Sequence, residues 1–198
     1  MSYERLLSID KPFFTHHEVA HALGIKLPSA EVLCTRYVKR GLLARLKRGL
    51  YAKSETFAHM SLSELFRIAN ILQVPSYISL TTALAYYGIT AQPTKGLLES
   101  ISLKRTRMFE SRNPSFHYIK IRPDLYRDFV KTDGFFIALP EKAVLDSLYL
   151  ASMGRYMFDA STLDLTRIDR EKLADLSAPY PTKLKKYLEK LYESPKRS

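Results

Sequence analysis

The sequence predicts an α+β protein: an N-terminal winged helix-turn-helix followed by a helix-rich α+β domain around a small sheet. Three observations predict it. Ala30–Val38 keeps a helical period and then gives way to two short strand-like runs around Lys47-Arg48-Gly49. Just upstream, Thr15 and Glu18 have the spacing of a capping box, and Gly24 follows as a turn residue. Beyond about residue 59, short apolar runs alternate with capped helical stretches and show no internal repeat. The expected division is the winged helix-turn-helix at 1–58 and the α+β domain at 59–198.

Taken in order, Glu4–Leu7 has the makings of a short helix. The helix begun at Thr15 buries Val19, Ala20 and Leu23 and stops at Gly24, and Ile25 and Leu27 fill the space beside it. Pro28-Ser29 opens a second helix, because proline suits the first helical turn. Its residues Ala30, Leu33, Cys34, Tyr37 and Val38 form one apolar stripe, opposite Thr35, Arg36 and Lys39. Gly41 ends it as a left-handed cap residue. Leu42–Leu46 and Leu50–Ala52 then form a hairpin with a basic tip, in which Tyr51 anchors the second strand to the core. A cationic helix followed by a cationic hairpin suits a helix in the major groove and a wing along the backbone or minor groove. Arg36 can bond both acceptors of guanine, while Lys39, Arg45, Lys47 and Arg48 suit phosphates, and Arg40 extends the basic set.

Ser54–His59 loses the periodic pattern and reads as a linker. Ser61 and Glu64 form a second capping box, opening a helix with Leu62, Leu65, Phe66, Ala69 and Leu72 on one side. Tyr77–Leu80 reads as a buried strand, and Thr81 or Thr82 caps a helix running through Tyr87 to Gly88. After a turn at Gln92–Gly96, Leu98–Leu103 and Phe116–Ile121 read as neighbouring strands separated by the basic stretch Lys104-Arg105-Thr106-Arg107. Phe135–Leu139 is another strand. Pro140 opens a helix over Glu141–Leu150, where Lys142 and Asp146, four apart, are expected to make a surface ion pair. Helices near Arg170–Leu176 and Pro181–Tyr192 complete the chain, the last of them basic through Lys183, Lys185 and Lys186.

The chain has 198 residues, a formal net charge of +11 and a pI near 9.7. That balance favours nucleic acid or another polyanion as partner. A single cysteine, Cys34, allows no disulfide within the chain and points to the cytoplasm. There is no secretory-type N-terminal pattern, and no apolar run approaches the ~20 residues of a membrane helix, so no membrane association is expected.

His17-Glu18-Val19-Ala20-His21 matches the H-E-x-x-H pattern of zinc hydrolases, in which both histidines ligate metal and the glutamate activates water. A third ligand is required. Leu27 stands where the longer form of the motif needs one, and Glu64 is the other candidate. The expected reading is instead an exposed face carrying His16, His17 and His21 beside phosphates. The chain offers no phosphate-cradling glycine loop, no partners that would make a triad with His59 or His117, and no paired carboxylates at Glu141 and Asp146. No enzyme, metal or cofactor is therefore expected. The alternatives to a DNA-binding regulator are a protein-interaction module with secondary DNA binding and, more remotely, the zinc hydrolase.

Four segments in register carry a family resemblance: Lys47–Tyr51 (KRGLY), Pro75–Ile89 (PSYISLTTALAYYGI), Ile101–Arg107 (ISLKRTR) and Ala138–Tyr149 (ALPEKAVLDSLY). Together, from about Thr15 to Tyr149, they resemble the AbiEi family of antitoxins and transcriptional regulators of abortive-infection, type IV toxin–antitoxin systems. The resemblance implies an N-terminal winged helix that binds inverted repeats in the operon's own promoter. Winged-helix readers commonly pair on two half-sites, so a homodimer on DNA is expected, with monomers binding cooperatively at adjacent repeats as the equal alternative. It implies a C-terminal domain that neutralises a nucleotidyltransferase-like toxin, and no catalysis by the antitoxin. Its DNA-contacting role would fall on Ser29, Thr35, Arg36, Lys39, Lys47 and Arg48, with Lys104, Arg105 and Arg107 adding contacts from the C-terminal domain.

Overall fold

A computed structural model describes residues 3–92, 96–111 and 114–193. The chain has a mixed α+β architecture that divides into two compact units, Met1–Leu65 with Phe109–Ser115, and Phe66–Met108 with Phe116–Ser198. Among the described residues no helix is long and apolar enough to cross a membrane.

The first unit opens with α1 (Glu4–Leu7), a two-residue strand β1 (Phe14–Thr15), and helices α2 (His16–Leu23) and α3 (Leu27–Lys39). Strands β2 (Leu43–Lys47) and β3 (Leu50–Lys53) follow, then α4 (Ser54–Ala58). The capping box forms as the spacing predicts: Thr15 Oγ1 accepts from Glu18 N, and the Glu18 carboxylate accepts from Thr15 N at 2.7 Å. Gly24, at φ 64°, closes α2 in the left-handed region and lets α3 start three residues later. The predicted stripe faces inward. Ala30, Cys34 and Tyr37 are buried with Leu6, Phe14, Val19, Leu23, Leu43 and Tyr51, and Leu33 and Val38 pack against that cluster half-buried. Burial pushes the Cys34 thiol up to about 11, so it stays a protonated apolar filler. Two features depart from the sequence reading. The hairpin is the larger part of a three-stranded sheet of order β1-β3-β2, with Phe14 opposite Tyr51. The expected linker at Ser54–His59 contains the helix α4, because Phe57 has an apolar site to fill and is buried there.

Helix α5 (Leu62–Leu72) starts on the predicted capping box, with the Glu64 carboxylate accepting from Ser61 N at 2.8 Å. The second unit is built on a six-stranded sheet of order β6-β7-β5-β4-β9-β8. Its strands are β4 (Ser76–Ile78), β5 (Leu97–Ser102), β6 (Arg107–Phe109), β7 (Ser115–Lys120), β8 (Phe129–Thr132) and β9 (Phe135–Ala138). β4 runs antiparallel to β5 and parallel to β9, so the sheet is mixed. β5 and β7 are neighbours as predicted, whereas the edge strands β6 and β8 go beyond the sequence reading. The predicted turn at Gln92–Gly96 falls largely on residues 93–95, outside the described residues.

Helix α6 (Leu80–Tyr86) is not capped by Thr81 or Thr82. Its N-cap is Ser79, which makes no side-chain capping bond; its hydroxyl is turned toward Asp146 and donates to it at 2.8 Å. Thr82 Oγ1 accepts from Glu99 N at 2.9 Å, and Thr81 Oγ1 pairs with Tyr156 Oη at 2.8 Å. Tyr156 in turn donates to Glu99 Oε2 at 2.9 Å. Glu99 is buried, and desolvation raises its pKa from the ordinary 4.5 to about 7 against these hydrogen bonds. The folded state therefore holds a proton that the unfolded chain releases. This contribution to stability is fully present below pH 4.5, declines as pH rises, and is gone above about 7. Across that window it amounts to about 2–4 kcal/mol. Urea titrations at pH 5 and pH 8 should show this decline, and Glu99→Gln should remove it. Equal pH slopes for both proteins would contradict the assignment.

Helix α7 (Pro140–Ser152) is the central helix of this unit. It packs against α6, α8 (Arg170–Leu176), α9 (Thr182–Glu193) and β9, and every residue from Glu141 to Leu150 is buried. The expected surface pair of Lys142 and Asp146 is therefore a buried one. Both side chains are 0 % exposed, with Nζ 2.6 Å from Oδ1. The reason is tertiary: the helix is covered on every side, so an i,i+4 pair cannot reach solvent. Lys142 Nζ also donates to Leu125 O at 2.8 Å and to Tyr180 Oη at 2.6 Å. Asp146 Oδ2 accepts from Tyr77 Oη at 3.0 Å and Ser79 Oγ at 2.8 Å. Burial holds the Tyr77 and Tyr180 phenols well above their usual pKa, keeping both as donors.

Candidate nucleic-acid interface

The candidate site is the exposed face of α3 together with the β2–β3 hairpin. With Ala30, Cys34 and Tyr37 turned into the core, the 3.6-residue period presents Ser29, Thr35, Arg36 and Lys39 on the outer side, all exposed. Arg40 is the C-cap residue, also exposed, with its guanidinium carbon 6.0 Å from the centre of the Tyr37 ring. The Thr35 hydroxyl donates back to Glu31 O at 2.9 Å, so its hydrogen is committed to the helix itself. Among the described exposed residues of α3, Glu31 is the acidic one. Its carboxylate lies 3.6 Å from His16 Nε2.

The hairpin pairs Arg45 with Tyr51 and Lys47 with Leu50, with a register shift between Arg45 and Lys47 that accommodates Leu46. Lys47 lies within β2, one position earlier than the tip where the sequence reading puts it. The connection is Arg48-Gly49, with Gly49 at φ 77°. Arg45 and Arg48 are exposed and Lys47 is half-buried, so all three basic side chains lie on a two-stranded arm directly following α3. Tyr51 is buried, as its anchoring role requires.

His16 ties these parts together. A Cβ built on Gly49 would sit 2.8 Å from His16 Cε1 and 2.9 Å from Nδ1, so the Cε1–Nδ1 edge of the imidazole lies close against the hairpin turn. Gly49→Ala combines that clash with a positive φ and should destabilise the unit by about 1–3 kcal/mol. Thermal unfolding of Gly49→Ala in wild-type and His16→Ala backgrounds separates the two causes. The clash component disappears with the imidazole, whereas the backbone component of about 1 kcal/mol remains.

The H-E-x-x-H segment is otherwise engaged. Glu18 caps α2 and binds Lys11 Nζ at 2.5 Å. The hydrogen bonds from Lys11 and then from the Thr15 backbone hold its carboxyl below the usual range. Glu64, the candidate third ligand, caps α5. Among the described residues no three His, Cys, Asp or Glu side chains are grouped as metal ligands would be. His17 and His21 remain exposed along a shallow depression of about 440 Å³ that Asp10, Lys11 and Glu18 also line.

Lys104, Arg105 and Arg107 lie in the second unit, where the chain enters β6, and all three are exposed. The backbone there is fixed: Gln73 Nε2 donates to Arg105 O at 2.8 Å, and Ser102 Oγ accepts from Lys104 N at 3.2 Å. One side chain escapes the sequence reading, and His16, expected on the exposed face, is instead half-buried against the hairpin turn. Val32, on the outer side of α3, is 60 % exposed, and its position off the apolar stripe is the signal that would identify it. The His16 contacts depend on hairpin geometry and have no local sequence signal.

A solved structure, titled as that of the RV2827C protein from Mycobacterium tuberculosis, is similar in fold, with a TM-score of 0.63 at 14% identity. The match covers 96% of this chain and 75% of that one. No curated protein matches the sequence. Residues 1–52, which span α1 to the second strand of the hairpin, match the family model described as a transcriptional regulator, AbiEi antitoxin.

Proposed function

We propose that this chain is a DNA-binding transcriptional regulator and antitoxin of a type IV toxin–antitoxin operon, acting by binding rather than catalysis. The observation that carries this reading is the set of exposed basic residues on the outer side of α3, followed along the chain by those of the β2–β3 arm. In this reading α2, α3 and the hairpin are a winged helix-turn-helix. α3 enters the major groove with Arg36 on a guanine edge and Thr35 beside it at the base edges, and Ser29 and Lys39 position the helix. Arg45, Lys47 and Arg48 hold phosphates along the wing, and Arg40 supports them from the end of α3. The match of residues 1–52 to AbiEi regulators supports the same assignment. The operator is an inverted repeat in the gene's own promoter, bound by two copies. Residues 59–198 neutralise a nucleotidyltransferase-like toxin, and Lys104, Arg105 and Arg107 add contacts to DNA.

The test is fluorescence anisotropy of a duplex from the region upstream of the gene against a scrambled duplex, across a salt series. The expected result is tighter binding to the upstream duplex that persists as salt rises. Equal affinity for both, lost steeply with salt, would reduce the basic surface to phosphate neutralisation alone.

A further inference from the structure

We infer that Val32, together with the methyl group of Thr35, reads a thymine C5-methyl group in the major groove beside the base contacted by Arg36. The inference rests on the DNA-binding reading above and adds to it the identity of one recognised base.

Val32 is 60 % exposed, although Ala30, Cys34 and Tyr37 on the other side of the same helix are buried. Its neighbours on the outer face are set by helical geometry: Ser29 three residues before it, Thr35 three after, and Arg36 four after. It therefore occupies the middle of the strip that would face the floor of the groove, between two polar side chains. Thr35 reinforces this local character. With its hydroxyl hydrogen donated to Glu31 O at 2.9 Å, it has no free hydroxyl hydrogen to donate to a base. The α3 face thus pairs an apolar spot with a bidentate donor. In the major groove, thymine is the one unmodified base that offers a methyl group, and guanine offers the two acceptors that suit arginine. Burying one methyl group is worth about 0.8 kcal/mol, or roughly fourfold in affinity.

The test uses the upstream duplex, trimmed by footprinting to its protected segment, with each protected thymine replaced in turn by deoxyuridine. This removes the methyl group and leaves every hydrogen-bonding group in place. Wild-type protein should lose about fourfold affinity at one thymine per half-site. Val32→Ala should lose a similar factor on the unmodified duplex and become insensitive to deoxyuridine at that position. Val32 is exposed and alanine is the better helix former, so the variant should keep the wild-type melting temperature. The inference is overturned if no deoxyuridine duplex binds wild-type protein more weakly. It is equally overturned if Val32→Ala keeps the full wild-type sensitivity at every thymine. Failure to prefer the upstream duplex over a scrambled one is a separate outcome, which removes the DNA-binding reading and this inference with it.

Discussion

Asp146→Ala is expected to destabilise the protein by about 3–5 kcal/mol, the cost of leaving a buried charge without its partner. The Lys142 ammonium would keep Leu125 O and Tyr180 Oη but lose its counterion in a site with no access to water. The hydroxyls of Tyr77 and Ser79 would lose the carboxylate oxygen they share. Lys142→Met should also cost several kcal/mol, because the Asp146 carboxylate would then rest on the hydroxyls of Tyr77, Ser79 and Tyr180 alone. The two losses overlap, so the double variant Lys142→Met/Asp146→Leu should fall well short of their sum. A coupling of about 2 kcal/mol or more is expected. Urea unfolding followed by circular dichroism measures it, with Asp146→Asn as a milder variant that keeps an acceptor oxygen. Single variants within about 1 kcal/mol of wild type would mean that the pair is hydrated in solution.

Arg36→Ala should weaken binding to the upstream duplex by roughly 5- to 150-fold, the range for losing one good bidentate base contact. It should also relax discrimination at a single base pair. Lys39→Ala should weaken all duplexes alike and lower the slope of log affinity against log salt by about one, as expected for a phosphate contact. Both side chains are exposed, so neither change should move the melting temperature appreciably. The two variants together separate base reading from charge neutralisation. Unchanged affinity in both would place any DNA contact away from α3.

Much of this architecture is legible in the sequence because its signals are local. The capping boxes at Thr15 and Ser61 depend on residues three apart, and both form. The outward placement of Arg36 and Lys39 follows from a period of 3.6 residues once the inner stripe is identified. The edge strand β8 had a local signal too. Asp133-Gly134, at φ 46° and 82°, is a two-residue hairpin turn between Thr132 and Phe135. The Lys142–Asp146 pair is a different case. Four-residue spacing of opposite charges looks the same on a solvated helix and a covered one. The groups that decide between them, Tyr77, Leu125 and Tyr180, come from elsewhere in the chain. Helix α4 was hidden for the same reason, since one phenylalanine carries no period.

The position of His16 has a consequence for how the first unit would meet a duplex. Its imidazole lies against the Gly49 turn on one side and 3.6 Å from the Glu31 carboxylate of α3 on the other. A hairpin arm free to swing would lose conformational freedom on docking, and that loss would be subtracted from the affinity. Here His16 stands between the arm and α3, so folding itself sets the spacing of the two. If the two meet DNA as proposed, that spacing would act as a gauge, favouring duplexes whose groove matches it over those that would require the unit to open.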